Sequence, residues 1–115
     1  MSTRKKLPDT GIKIGGTKRG ARLTVPLMGH VTLVVGYALR DFVGCHAVVE
    51  LYGTPLKTVA VLTRDRGLQS LLETALATGN FMVCYGQQLT NTSAPGGGVW
   101  TVDAYGINSV QVFGM

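Results

Sequence analysis

Lys57-Thr58-Val59-Ala60-Val61-Leu62-Thr63 runs directly into Arg64-Asp65-Arg66-Gly67-Leu68-Gln69-Ser70-Leu71-Leu72-Glu73-Thr74-Ala75-Leu76-Ala77-Thr78-Gly79. The hydrophobic period changes at that junction. The first seven residues are rich in β-branched side chains, which suit a pleated, half-buried surface. In the segment that follows, Leu68, Leu71, Leu72, Ala75 and Leu76 fall at i, i+3, i+4, i+7 and i+8. That is the single apolar stripe of a short helix. Asp65 stands beside the N-cap position, and Gly79 lies where a left-handed C-terminal residue is expected. No other segment has a comparable helical pattern.

Outward from this junction the chain alternates as strands do. Upstream, Val31, Leu33 and Val35 share one face, Thr32 and Val34 the other, and Gly36 would allow a bulge. Cys45, Ala47, Val49 and Leu51 form a second apolar face, opposite His46, Val48, Glu50 and Tyr52, before the turn signal Gly53-Thr54-Pro55. Downstream, Phe81 to Leu89 reads as a fourth strand, with Phe81, Val83 and Tyr85 on the core side. Asn91 to Gly98 is a loop ending in three consecutive glycines. Val99 to Tyr105 and Asn108 to Phe113 then form a last long strand, bent at Gly106. Three strands, a helix and two strands predict a mainly β fold whose sheet must close or cover its edges. A five-stranded, OB-fold-like antiparallel barrel does so, with one short helix between strands 3 and 4 plugging an end.

The 115 residues suffice for one such domain, and 45% hydrophobic against 15% charged residues is a globular balance. The net charge of +5 is unevenly placed. Residues 1–22 carry Arg4, Lys5, Lys6, Lys13, Lys18, Arg19 and Arg22 against Asp9 alone, a net +6. Residues 23–115 carry Arg40, Lys57, Arg64 and Arg66 against five acids, a net −1. The first segment has few large apolar groups to offset its ordering entropy. The expected organisation is therefore a flexible, disordered basic arm over 1–22 and an OB-fold-like domain over 23–115.

Other function classes fit poorly. No apolar stretch reaches the length of a membrane span, and the basic N-terminus leads into Leu7-Pro8-Asp9-Thr10-Gly11 with no apolar signal core. A cytoplasmic protein with no membrane association is expected. That pentapeptide matches a sortase signal, but such signals stand near a C-terminus. Gly11 to Gly16 followed by Thr17-Lys18 approximates a P-loop with its last two residues exchanged, yet no strand precedes it and no helix follows. Cys45 and Cys84 lie far apart among apolar residues, and with only His30 and His46 they make neither a disulfide scaffold nor a zinc site. No nucleophile, base and orienting group assemble. The expectation is a non-enzyme with no cofactor and no metal.

His30-Val31-Thr32-Leu33-Val34-Val35-Gly36-Tyr37-Ala38-Leu39-Arg40-Asp41 resembles the first strand and turn of the bacterial single-stranded DNA-binding proteins. Gly79 followed by Phe81-Met82-Val83-Cys84-Tyr85-Gly86-Gln87-Gln88-Leu89 is similar to their fourth strand, and a glycine-containing loop and final strand follow as they do there. The resemblance spans residues 30–113. It implies an OB fold, sequence-tolerant binding of single-stranded nucleic acid, ssDNA above all, and homo-oligomerisation.

Such binding needs aromatic platforms for bases and cations for phosphates. By strand phase Tyr52 and Tyr105 point outward, Tyr105 in register with Thr101 and Asp103. Trp100 is in phase with Val102 and Ala104 but borders the glycine loop. The candidate contacts are the arm cations Arg4, Lys5, Lys6, Lys13, Lys18, Arg19 and Arg22, with Lys57, Tyr52, Trp100 and Tyr105 on the body. Arg40, Arg64 and Arg66 adjoin Asp41 and Asp65, so local ion pairing is their default. The alternative is a structural or assembly module, forming a homo-oligomer or binding a protein partner through its strands.

Overall fold

The computed structural model describes residues 23–53, 55–91 and 93–114. The seven arm cations, and the expectation of a flexible arm, lie outside the described residues. Five strands and one helix follow in chain order: β1 (Val25–Ala38), β2 (Val43–Leu51), β3 (Lys57–Thr63), α1 (Arg66–Thr78), β4 (Met82–Gln88) and β5 (Ala104–Val112). They form a closed barrel in the order β1-β2-β3-β5-β4. The pairs are antiparallel except β3 with β5, which meet in parallel at Ala60–Leu62 and Ala104–Gly106. β1 holds both neighbours: Val25–Gly29 pair with β4, and Gly29–Ala38 pair with β2. This is the expected barrel, with the helix between β3 and β4.

α1 begins where its sequence can cap it. The Asp65 carboxylate accepts the Leu68 N–H at 2.9 Å, and Gly79 ends the helix at φ 72° while donating its N–H to Ala75 O. The cap contributes about 1 kcal/mol. Leu72 and Ala75 are fully buried against a core of Leu27, Val31, Cys45, Ala47, Val49, Val59, Val61, Met82 and Cys84. Each buried aliphatic side chain contributes roughly 1.5–3 kcal/mol.

Three strand phases depart from the sequence reading, each for a local reason. Thr32 is an extra residue between the Val31–Val49 and Leu33–Val48 pairs. The bulge thus sits at Thr32 rather than Gly36, and it turns Leu33 outward while Val34 packs on the core. On β4 the buried residues are Met82, Cys84 and Gly86, so Phe81, Val83 and Tyr85 face outward and not into the core. A Cβ on Gly86 would stand 2.7 Å from the Gly106 carbonyl oxygen, which keeps that inward position small. Opposite it, Asn108 is extra on β5, because Tyr85 pairs with Ser109 and Gly86 with Ile107. Tyr105 and Ile107 therefore point inward before the bulge, and Val110 and Val112 after it. Residues 99–103 are not strand; Val99 makes only an isolated bridge to Ser93.

Candidate nucleic-acid interface

The turn between β1 and β2 and the long connection between β4 and β5 lie beside the outer face of β2. In β1, Tyr37 pairs with Gly44, which makes His46 its diagonal neighbour on the same face. The Tyr37 hydroxyl lies 2.8 Å from His46 Nδ1, with the ring centroids 5.6 Å apart. Phe42, in the turn, meets Tyr37 edge-on at 5.7 Å, and Trp100 meets His46 edge-on at 5.1 Å. Tyr37, Phe42, His46 and Trp100 thus form a continuous aromatic row, each ring half-buried. Burial pushes the His46 imidazole below its ordinary pKa, which holds the ring neutral. With the proton on Nε2, Nδ1 accepts the Tyr37 O–H.

Arg64 closes one end of the row. Its guanidinium lies 4.5 Å from the Phe42 ring centroid and donates to the Asp41 carbonyl oxygen at 3.3 Å. The expected pairing of Arg64 and Arg66 with Asp65 does not form, because Asp65 is occupied as the N-cap of α1. Nor does Arg40 pair with Asp41. Among the described residues the ion pair is Lys57 with Asp103, at 2.9 Å, leaving Arg40, Arg64 and Arg66 without a carboxylate partner. Glycine makes the Phe42–Arg64 approach possible: a Cβ on Gly44 would overlap the Thr63 carbonyl oxygen, so β2 and β3 converge there only without one. At the other end, Trp100 Nε1 is buried without a hydrogen-bond partner.

Of the residues singled out in the sequence, only Trp100 belongs to this row. Tyr52 is 78% exposed but sits at the far end of β2, with its ring 6.1 Å from Phe81. Lys57 is held by Asp103, whose hydrogen bond and charge raise its pKa. Tyr105 corrects the expectation outright: it is 9% exposed and packs in the core, so its ring offers no face to a base. Tyr37, Phe42, His46 and Arg64 were missed. The signal that could have found them is the hairpin register, which places Tyr37 and His46 side by side once Gly44 is taken as the partner of Tyr37.

A second aromatic group lies elsewhere on the barrel. Phe81 meets His30, Tyr52 and Phe113 edge-on at 5.6, 6.1 and 5.9 Å. It stands at one end of the outer face of β1, β4 and β5, where Pro26, Met28, Val83, Tyr85, Ser109 and Gln111 also point outward. Among the described residues of β1, β4 and β5 that face holds no Lys, Arg, Asp or Glu, while Glu50 of β2 pairs with His30 at its edge. Inside the barrel, burial pushes the Cys84 thiol up to about 12 and raises Cys45, to which the charge of Glu73 adds. Both thiols are free.

A closed five-stranded barrel with its helix between β3 and β4 is the OB fold, whose usual ligand surface is the strand 2–3 face with the β1–β2 and β4–β5 loops. Phe42, His46 and Trp100 lie on those elements, and Tyr37 adjoins them at the end of β1. Comparison with solved structures agrees: the chain is similar in fold to a small single-stranded DNA-binding protein from Streptomyces coelicolor. The match has a TM-score of 0.60 at 17% identity and covers 79% of this chain and 92% of that one. No protein-family model matches the sequence, and no curated protein matches it. No helix among the described residues is long and apolar enough to cross a membrane.

Proposed function

We propose that this chain is a non-enzymatic, cytoplasmic protein that binds single-stranded nucleic acid, ssDNA in preference, across the Tyr37–Phe42–His46–Trp100 row. The observation that carries the reading is the row itself, joined to an arginine that has no carboxylate partner among the described residues, on the usual ligand surface of an OB barrel. Bases stack on the rings, and Arg40, Arg64 and Arg66 meet phosphates. The seven cations of residues 1–22 add sequence-independent attraction.

The test is titration of dye-labelled dT oligomers. Phe42→Ala and Trp100→Ala should each weaken binding by about 1–3 kcal/mol, the usual worth of a stacked base. Tyr52→Ala should leave it unchanged. Equal affinity for duplex, with no effect of either row variant, would sink the reading.

A second property is supported by the outer face of β1, β4 and β5. Its β1, β4 and β5 residues carry no charge, and Met28, Phe81, Val83, Tyr85 and Phe113 give it apolar surface, so two copies meet there with little like-charge repulsion. We propose a homo-oligomer formed through this face. Tyr85→Glu combined with Met28→Glu should reduce the sedimenting species to monomer, and a native chain that sediments as monomer at every concentration refutes it.

A further inference from the structure

α1 presents two stripes. Leu72 and Ala75 seal the barrel, while Arg66, Gln69, Ser70 and Glu73, at i, i+3, i+4 and i+7, form a polar stripe. A polar stripe ordinarily faces open water. This one, exposed except for half-buried Gln69, also borders the end of β1 and the start of β2 across an open cavity of about 480 Å³, walled by Gly36, Tyr37 and Gly44. That volume is in the range of small-molecule sites. Gly36 keeps the wall thin: a Cβ there would lie 3.6 Å from Gln69 Nε2.

The cavity is charged differently at its two ends. Arg64 and Arg66 stand at the N-terminal end of the helix, and Arg66 has no partner among the described residues. Glu73 lies two turns further on, roughly 10 Å along the axis. Its Oε2 accepts from Gln69 at 3.2 Å, and its Oε1 has no partner among the described residues. An anion is drawn to the arginine end and repelled from the other. A carboxylate accepts hydrogen bonds but donates none, so a group beside Glu73 must donate. Arg64 lines this cavity and also stands 4.5 Å from the Phe42 ring centroid, so the cavity and the aromatic row meet at that arginine.

We infer that the cavity between α1 and the β1–β2 turn takes one nucleotide of the bound strand and selects a base bearing an amino group. This rests on the single-strand reading above and deepens it. The phosphate of that nucleotide lies at Arg64 and Arg66, and the base edge faces Glu73. Guanine, adenine and cytosine each offer an exocyclic amino donor. Thymine and uracil set carbonyl oxygens on both sides of their one N–H, and those oxygens oppose the carboxylate. Guanine, with an N–H beside its amino group, fits best.

The experiment measures full-length protein against dT oligomers and the same oligomers carrying one central dG, dC or dA. The native chain should bind the dG oligomer roughly tenfold tighter than dT, the worth of one hydrogen bond to a charged group. In Glu73→Gln, an exposed and fold-neutral change, the preference should fall below about twofold, because the amide offers a donor as well as an acceptor. Binding of dT with no preference in the native chain, or a preference that survives Glu73→Gln, overturns the inference and leaves the single-strand reading standing. Failure to bind any oligomer overturns both.

Discussion

The uneven charge makes a quantitative prediction about salt. Each phosphate neutralised on a single strand contributes about −0.7 to the slope of log K against log salt. Among the described residues the barrel has three arginines without a carboxylate partner, and Lys57 is tied to Asp103 at 2.9 Å. Its contribution is therefore at most about −2, a loss of roughly twentyfold between 50 and 200 mM salt. If the seven cations of residues 1–22 also engage, the slope can reach about −7, and the loss over the same interval is roughly ten-thousandfold. The perturbation is replacement of those seven by glutamine in the full chain. Fluorescence anisotropy of a labelled dT oligomer at four salt concentrations should show a steep slope falling to about −2. Adding Arg64→Ala should bring it to about −1.4. A slope still steeper than about −4 after neutralisation would refute the reasoning, since the barrel lacks the cations to produce it. Complete loss of binding would refute it in the other direction, by making the first 22 residues the whole site.

Gly29→Ala should cost about 3 kcal/mol or more by urea denaturation, because its Cβ would overlap the Glu50 carbonyl oxygen within the β1–β2 ladder. Gly36→Ala meets nothing closer than 3.6 Å and should stay within about 0.5 kcal/mol of the native chain. His46 has a folded pKa below its unfolded value, so the unfolded chain takes the proton first and stability falls as pH drops through the unfolded pKa of about 6.5. His46→Gln should flatten the part of the Tm loss that the native chain shows between pH 7.5 and 5.5. Cys45 and Cys84 should resist alkylation in the folded protein at pH 8 and react on unfolding, since burial raises both thiols and Cys84 reaches about 12.

The elements that depend on local pattern were legible. β3 and α1 lie where the change of period put them, and the inner face of β2 is Cys45, Ala47 and Val49, fully buried. What escaped depends on partners distant in sequence. Thr32 and Asn108 are single extra residues whose position is set by the opposing strand, and each reverses the faces beyond it. That is why Leu33 turns outward; Tyr105 points inward because residues 99–103, from which its phase was counted, are not strand. On β4 the bulky rings of Phe81 and Tyr85 suggested a core, but the barrel interior takes the slimmer Met82, Cys84 and Gly86. The proposed site was half visible for the same reason. Trp100 could be noticed alone, whereas Tyr37 and His46 become neighbours only through a pairing register, and Arg64 reaches Phe42 only after β3 has docked on β2.

The way β1 serves two neighbours has a mechanical consequence. Its first five residues, Val25–Gly29, are the whole of the seam with β4, and the chain entering that seam comes from the basic first 22 residues. Antiparallel hydrogen bonds lie perpendicular to the strands, so a pull along β1 loads every bond of the seam at once rather than peeling them singly. If residues 1–22 hold a nucleic-acid strand as proposed, tension on it would arrive in shear, the direction in which a short ladder resists best.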